Sequence, residues 1–212
     1  MNWLSRFVSG ARPELPAAAA EKIARWQQGE RTDPALPHFE SRYVVVNTEA
    51  TGLDLEKDRL LAVAAIAIEG LSLKPANALY RPLDDDPAEA LADLLDFAGH
   101  APWVVFNASF NRKLLERVFE ARCDFEPEAT WMDLQWLMPG LYPELHTDQV
   151  RLADWMDAFG VETFQRHHAL GDAYAIAQLL MAALGRAHAT GAINARSLIE
   201  IERSRRWSRR AV

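Results

Sequence analysis

From Arg42 onward, short apolar runs typical of strands alternate with longer segments of helical periodicity. We predict strands at 43–46, 60–68, 76–80, 103–106 and 131–134. Pro75 precedes the third strand, which we therefore expect at an edge of the sheet. We predict helices that begin after Pro87 and at Asn111 and that span 152–159 and 169–184. Three closely linked strands followed by strands that alternate with helices predict an α/β fold with a mixed β-sheet covered by helices.

The two ends of the chain differ in composition from this middle part. A helix is predicted near residues 17–26, and the Gly29, Pro34 and Pro37 that follow it predict a linker. Ile23 and Trp26 share one face of this helix, and an earlier segment shares a face formed by Trp3, Leu4, Phe7 and Val8. We expect both faces to pack on the chain's own domain, and a protein partner that docks on residues 1–40 is the alternative.

The C-terminal sequence RSRRWSRRAV surrounds one tryptophan with arginines. Such a mixture can contact phosphates and stack on a base. It is also typical of a solvated helix end, where cations favour the C-terminus of the helix dipole. Both interpretations stay open at the level of the sequence.

Charge and cysteine content exclude several classes of protein. A formal net charge of −7 argues against coating of duplex DNA by bulk electrostatics, so affinity for nucleic acid must be local. The single cysteine, Cys123, allows no internal disulfide and suits a reducing compartment. The longest apolar run, 60–68, is too short to cross a bilayer, and Arg6 and Arg12 interrupt the N-terminus before a secretory stretch develops. We predict a cytoplasmic protein without membrane contact.

Three polar clusters lie where predicted strands end or predicted helices begin. They are 47–49 before a Thr51-Gly52 turn, 107–111, and 167–172. Taken singly, each has a structural explanation, because Asn111 can cap a helix and Asp172 suits a helix N-terminus. In a mixed sheet, however, strand ends and helix starts can converge on one crevice. We therefore expect the three clusters to share a site.

The clusters resemble, in order, the three motifs of the DEDDh 3′→5′ exonucleases, which include the proofreading subunits of bacterial replicative polymerases and ribonuclease T. They read NTEATG, FNASFN and HHALGD here, against Asp-x-Glu-Thr-Thr-Gly, His-Asn-x-x-Phe-Asp and His-x-Ala-x-x-Asp in the family. The resemblance runs from about Arg42 to Leu184 and implies a ribonuclease H-like fold. We accordingly predict an N-terminal helical extension and linker at 1–41, an exonuclease-like domain at 42–190, and a C-terminal helix with a basic tail at 191–212.

The resemblance also implies a role for each matching residue. The family hydrolyses phosphodiesters with two Mg²⁺ or Mn²⁺ ions. Glu49 and Asp172 would be metal ligands, Glu49 would help to place the attacking water, and His167 would be the general base. Asn47 and Asn111 stand where the family has metal-binding aspartates. The residues expected to contact nucleic acid are Thr51, Gly52, Leu53 and Asn107.

Position 47 decides the expected chemistry. The family's aspartate touches both metals, whereas asparagine offers one carbonyl oxygen and an NH₂ group that repels a cation. Glu49 and Asp172 alone carry two negative charges, which balance one divalent ion. We therefore expect at most one Mg²⁺ or Mn²⁺ ion, weakly bound.

Three functions follow from the sequence. The first is an exonuclease-like domain that binds a single-stranded nucleic-acid 3′ end, with weak or absent hydrolysis. The second is an active metal-dependent 3′→5′ exonuclease of DNA or RNA, and the third is a non-catalytic scaffold for protein contacts. Ala50 and Phe106 replace a threonine and a histidine of the motifs and favour the first, because drift explains such changes. Intact His167 and Asp172 argue against a pure scaffold.

Overall fold

The computed structural model describes residues 15–83 and 87–210. The strands are β1 (Arg42–Ala50), β2 (Leu60–Glu69), β3 (Ser72–Pro82), β4 (Trp103–Val105) and β5 (Trp131–Asp133). The helices are α1 (Ala17–Gln28), α2 (Pro87–Ala98), α3 (Ala108–Cys123), α4 (Leu134–Leu141), α5 (Leu152–Phe159), α6 (Ala169–Ala189) and α7 (Ala195–Arg210). Within these ranges, every helix is too short or too polar to cross a membrane.

The described strands form one mixed sheet in the order β3-β2-β1-β4-β5. β2 pairs antiparallel with both β1 and β3, whereas β4 pairs parallel with both β1 and β5. The predicted mixed α/β sheet is therefore confirmed, and β3 lies at an edge as Pro75 predicts. The predicted start of β3 after Pro75 is wrong, because the strand begins at Ser72 and an edge strand can contain a proline. Because β1, β4 and β5 run parallel, their carboxyl ends lie at the same end of the sheet.

Alternation along β1 decides which face each side chain reaches. Tyr43 and Val45 join the core cluster that contains α6. Val44 and Val46 join the cluster that contains α2 and α3. Since side chains alternate between faces, Asn47 and Glu49 continue the α6 face and Thr48 continues the α3 face.

Helix α3 begins at Ala108, three residues before the predicted start at Asn111. The cause is Asp133 at the end of β5. Its carboxylate accepts hydrogen bonds from the backbone amides of Asn107 (3.0 Å) and Ala108 (2.9 Å). A cap supplied by a remote strand satisfies the first amides of the helix, so the prediction that Asn111 opens it is wrong.

Helix α1 packs on α2 through the face predicted for it. Ile23 and Trp26 are buried there, which confirms that this face covers the chain's own domain. The Trp26 indole also donates a hydrogen bond to the carbonyl of Gly99 (2.7 Å). The predicted face of Trp3, Leu4, Phe7 and Val8 lies outside the described residues.

Candidate functional site

The polar end of β1 contacts the first residue of α6. The Asn47 side-chain amide donates to the Ala169 carbonyl (3.1 Å), and the Ala169 backbone amide donates to Glu49 Oε2 (3.3 Å). The amide of Ala169 is one of the helix N–H groups that lack a partner inside the helix, and a carboxylate there is favoured by the helix dipole. Asn47 and Glu49, at the end of β1, thus contact the third polar cluster (167–172) at the start of α6.

Asn111 reaches β1 from the other face. Its Oδ1 accepts a hydrogen bond from the Thr48 hydroxyl (2.6 Å), and its Nδ2 donates to the Phe106 carbonyl (2.8 Å) and the Asn107 carbonyl (3.3 Å). The side chain is buried, with 6% of its surface exposed. The oxygen of this amide therefore ties α3 to β1, and its nitrogen stabilises the start of α3.

Asp172 lies in the first turn of α6 and is paired with a cation. Arg166 Nη1 contacts Asp172 Oδ1 at 2.6 Å and Met156 Sδ at 3.1 Å. Burial raises the pKa of the Asp172 carboxyl, and the Arg166 charge and the His167 backbone amide oppose that rise. The carboxylate is thus half-buried with its charge already balanced by a guanidinium.

The two histidines of the third cluster have different surroundings. His168 is the N-cap of α6, where its Nδ1 accepts from the Leu170 amide (3.2 Å). Its ring stacks on Tyr80 at a centroid distance of 4.9 Å. His167 is exposed and has a φ of 63°, in the left-handed region. The left-handed backbone reverses the chain between Arg166 and α6 and leaves the His167 side chain accessible to solvent.

Gly171 allows the loop before α6 to pack tightly on the helix. A Cβ at this position would lie 2.0 Å from the Gln165 carbonyl oxygen. The Thr163 hydroxyl donates to the Gly171 carbonyl (2.6 Å) from the same loop. A glycine here therefore fixes the loop that carries Arg166 and His167.

The turn after β1 is held by Asp58. Its carboxylate accepts from the Thr51 hydroxyl (2.7 Å) and the Asp54 amide (2.7 Å), and a Cβ on Gly52 would come within 2.5 Å of it. Leu53 projects from this turn with 81% of its surface exposed. After the neighbouring strand β4, Asn107 is the N-cap of α3 and has a left-handed φ of 67°.

The structure therefore links the three polar clusters, but not all side chains face one crevice. Asn47, Glu49 and Ala169 bond directly, and Asp172 lies one turn further along α6. Asn111 bonds to Thr48 on the opposite side of β1. Sequence reasoning placed Thr48 in the first cluster without a role, and it missed the partners Asp58, Asp133 and Arg166. Among these three, Arg166 directly precedes the HHALGD motif.

As arranged, these residues do not fit a two-metal centre. Mg²⁺ needs several anionic or carbonyl oxygens in near-octahedral geometry. The Asn47 amide faces a carbonyl, Asn111 is fully engaged, and Asp172 is paired with Arg166. In the described part of the chain, no group of three or more His, Cys, Asp or Glu side chains could hold a metal ion.

Comparison with known proteins yields one curated relative and many solved structures, while no family model matches. The DNA polymerase III PolC-type of Oceanobacillus iheyensis is 29% identical over 164 residues, which are 67% of this chain and 11% of that protein. E. coli exonuclease I in complex with a dT13 oligonucleotide has a TM-score of 0.55 at 18% identity, over 71% of this chain and 42% of that one. Exonuclease X in complex with 5′ overhanging duplex DNA has a TM-score of 0.55 at 19% identity, over 76% of this chain and 99% of exonuclease X.

The chain has the fold of these exonucleases. The ribonuclease H-like fold that the three motifs predict is thereby confirmed. The chain spans about a tenth of the length of the curated relative and about two-fifths of exonuclease I. One exonuclease I structure with single-stranded DNA is a zinc-bound form.

Proposed function

We propose that this chain binds the 3′ end of a single-stranded nucleic acid between the end of β1 and the start of α6, with weak or absent hydrolysis. The observation that carries the proposal is the Asp172–Arg166 pair at 2.6 Å. A two-metal enzyme needs free carboxylates at this place, whereas here a guanidinium already neutralises one. Arg166 contacts Asp172 through Nη1. A guanidinium carries five N–H donors in a rigid fork that matches phosphate oxygens, so its remaining donors would bind the strand's backbone in the crevice.

Two further features suit a nucleic-acid 3′ end. The N-terminus of α6 offers the positive end of a helix dipole, which favours phosphate. Leu53 presents an apolar surface on which a terminal base can pack, and Thr51, Gly52 and Asn107 would line the same path. The oligonucleotide and overhang complexes of exonucleases I and X support this class of ligand.

Active 3′→5′ hydrolysis is the second candidate, and the accessible His167 favours it. In that case a single Mg²⁺ or Mn²⁺ ion on Glu49 and Asp172 is the most that the charges would balance, and Asp172 would first have to leave Arg166. The zinc-bound form of exonuclease I supports a divalent ion as the class of cofactor. His167 would accept the proton of the attacking water.

The proposed function is tested by fluorescence anisotropy with linear dT20, its RNA counterpart, and circularised dT20 that lacks a 3′ end. In EDTA, the linear strand should bind several-fold more tightly than the circle. Arg166→Gln should reduce this preference, because it removes the guanidinium donors and leaves the Asp172 carboxylate unpaired beside the strand. Equal affinity for linear and circular dT20 would overturn the proposal. No binding of either strand would also overturn it and would favour the protein scaffold.

A further inference from the structure

Helix α7 is strongly basic although the whole chain is acidic. It contains six arginines and two glutamates, in a chain of net charge −7. Helical periodicity places Arg203, Arg206 and Trp207 on one face. Arg203 is exposed, and Trp207 has 73% of its surface exposed, which is high for the largest apolar side chain. We call these three residues the α7 basic face.

The α7 basic face is built on a fixed arginine. The Arg206 guanidinium contacts Glu202 at 2.5 Å and lies 5.6 Å from the ring centre of Trp136. Its Nε is buried and has no hydrogen-bond partner within the described structure. Beside it, Arg203, Ser204, Arg206 and Trp207 line an open depression of about 400 Å³. A cationic group and an aromatic ring are thus held next to a space large enough for a base.

This face is continuous with the edge of the sheet that carries the crevice. Arg206 Nη2 is 3.7 Å from the carboxylate of Asp133, which caps α3 next to Asn107. The parallel strands follow one another as β1, β4 and β5, and α7 packs beyond β5. Since neighbouring strands are about 4.8 Å apart, β5 lies roughly 10 Å from β1, and the α7 basic face lies beyond β5.

We infer that the α7 basic face is a second contact for single-stranded nucleic acid and receives the part of the strand that precedes its 3′ end. The inference rests on the proposed function, since the crevice would hold the 3′ end itself. Arg203 would bind a phosphate, and a base would stack on Trp207 in the depression beside Arg206. An exposed guanidinium beside an exposed ring, at the end of the sheet where β1 also ends, matches an alternation of phosphates and bases.

The test measures binding of linear and circularised dT20 to the full chain in EDTA at several salt concentrations. Trp207→Ala should weaken both by about 5-fold or more, because a stacked base is lost. Arg203→Gln should weaken both and lower the salt slope by about 0.7, because one phosphate contact is lost. Phe39→Ala and Arg122→Gln are matched controls, since both residues are exposed elsewhere, and they should change neither affinity.

The ratio of linear to circular affinity separates this inference from the proposed function. The α7 basic face reads the body of the strand, so its variants should leave that ratio unchanged. If both variants bind dT20 as tightly as the unmodified protein and linear dT20 is still preferred over circular dT20, the second contact on α7 is wrong and the 3′-end site in the crevice is supported. If the variants weaken binding but linear and circular dT20 bind equally, the proposed 3′-end site in the crevice is wrong, and the nucleic-acid contact on α7 is supported. If the unmodified protein binds neither strand, both are overturned.

Discussion

Replacing Asn111 by aspartate, the residue that the exonuclease motif has there, should destabilise this protein. The change removes the donors to the Phe106 and Asn107 carbonyls and turns a carboxylate oxygen towards them, at a site with 6% exposure. Each lost hydrogen bond costs about 1 kcal/mol, and a buried unpaired group costs about 1–3 kcal/mol. We expect the free energy of unfolding to fall by about 2–4 kcal/mol at pH 7. With an m-value of about 3 kcal/mol/M, the urea midpoint should fall by about 1 M.

The pH dependence gives this prediction a sign. Burial raises the pKa of a carboxyl group above its value in the unfolded chain, so the folded variant holds its proton more tightly. The stability deficit should therefore shrink as pH is lowered from 7, because the folded variant takes up a proton before the unfolded chain does. Asn194→Asp is the matched control: its Oδ1 caps the start of α7, a role that aspartate keeps, and its Nδ2 gives up only a long contact to the Ala35 carbonyl (3.4 Å) at a partly exposed position. Its midpoint should fall much less than that of Asn111→Asp. A stable Asn111→Asp variant, or a deficit independent of pH, would refute the reasoning.

Three further variants test an ion pair and a close backbone approach at the site, and a buried carboxyl on α7. Arg166→Gln frees Asp172, so millimolar Mn²⁺ should raise its melting temperature by a few degrees and that of the unmodified protein by less than about 1 °C; equal shifts would contradict the role of the ion pair. Gly171→Ala places a Cβ 2.0 Å from the Gln165 carbonyl and should cost about 2 kcal/mol or more with loss of oligonucleotide affinity, whereas Gly185→Ala, with open space, should not. Glu202→Gln removes a carboxyl whose pKa is raised above 4.5 by burial. Relative to this variant, the unmodified protein should lose stability as pH rises from about 4.5 through the raised pKa. A difference in melting temperature between the two proteins that does not change with pH would rule this out.

The sheet was predictable because its signals are local. The apolar run of β2 and the alternation of strands and helices after Arg42 are written in neighbouring residues. The edge position of β3 follows from Pro75. Helix α4 escaped prediction because its apolar residues adjoin β5 directly and include Pro139, so that Leu134 was assigned to the strand.

The order of the site residues was also predictable, but their partners were not. The motifs predicted that the end of β1 and the start of α6 share a site, and Asn47, Glu49 and Ala169 do bond there. The pairing of Arg166 with Asp172 depends on the left-handed backbone of His167 between them. The burial of Asn111 depends on a helix start that Asp133 sets from another strand. Contacts between residues distant in the chain leave no periodicity to read.

The central claim is that this exonuclease fold holds a nucleic-acid 3′ end without efficient hydrolysis. Its most direct test is a single-turnover assay with protein in excess over a 5′-labelled dT20 strand, in Mg²⁺ or Mn²⁺, with binding followed in the same tube. Glu49→Gln serves as the control for a contaminating nuclease. We predict that the strand is bound and stays at full length. Metal-dependent shortening from the 3′ end that Glu49→Gln abolishes would contradict the claim and establish an active exonuclease.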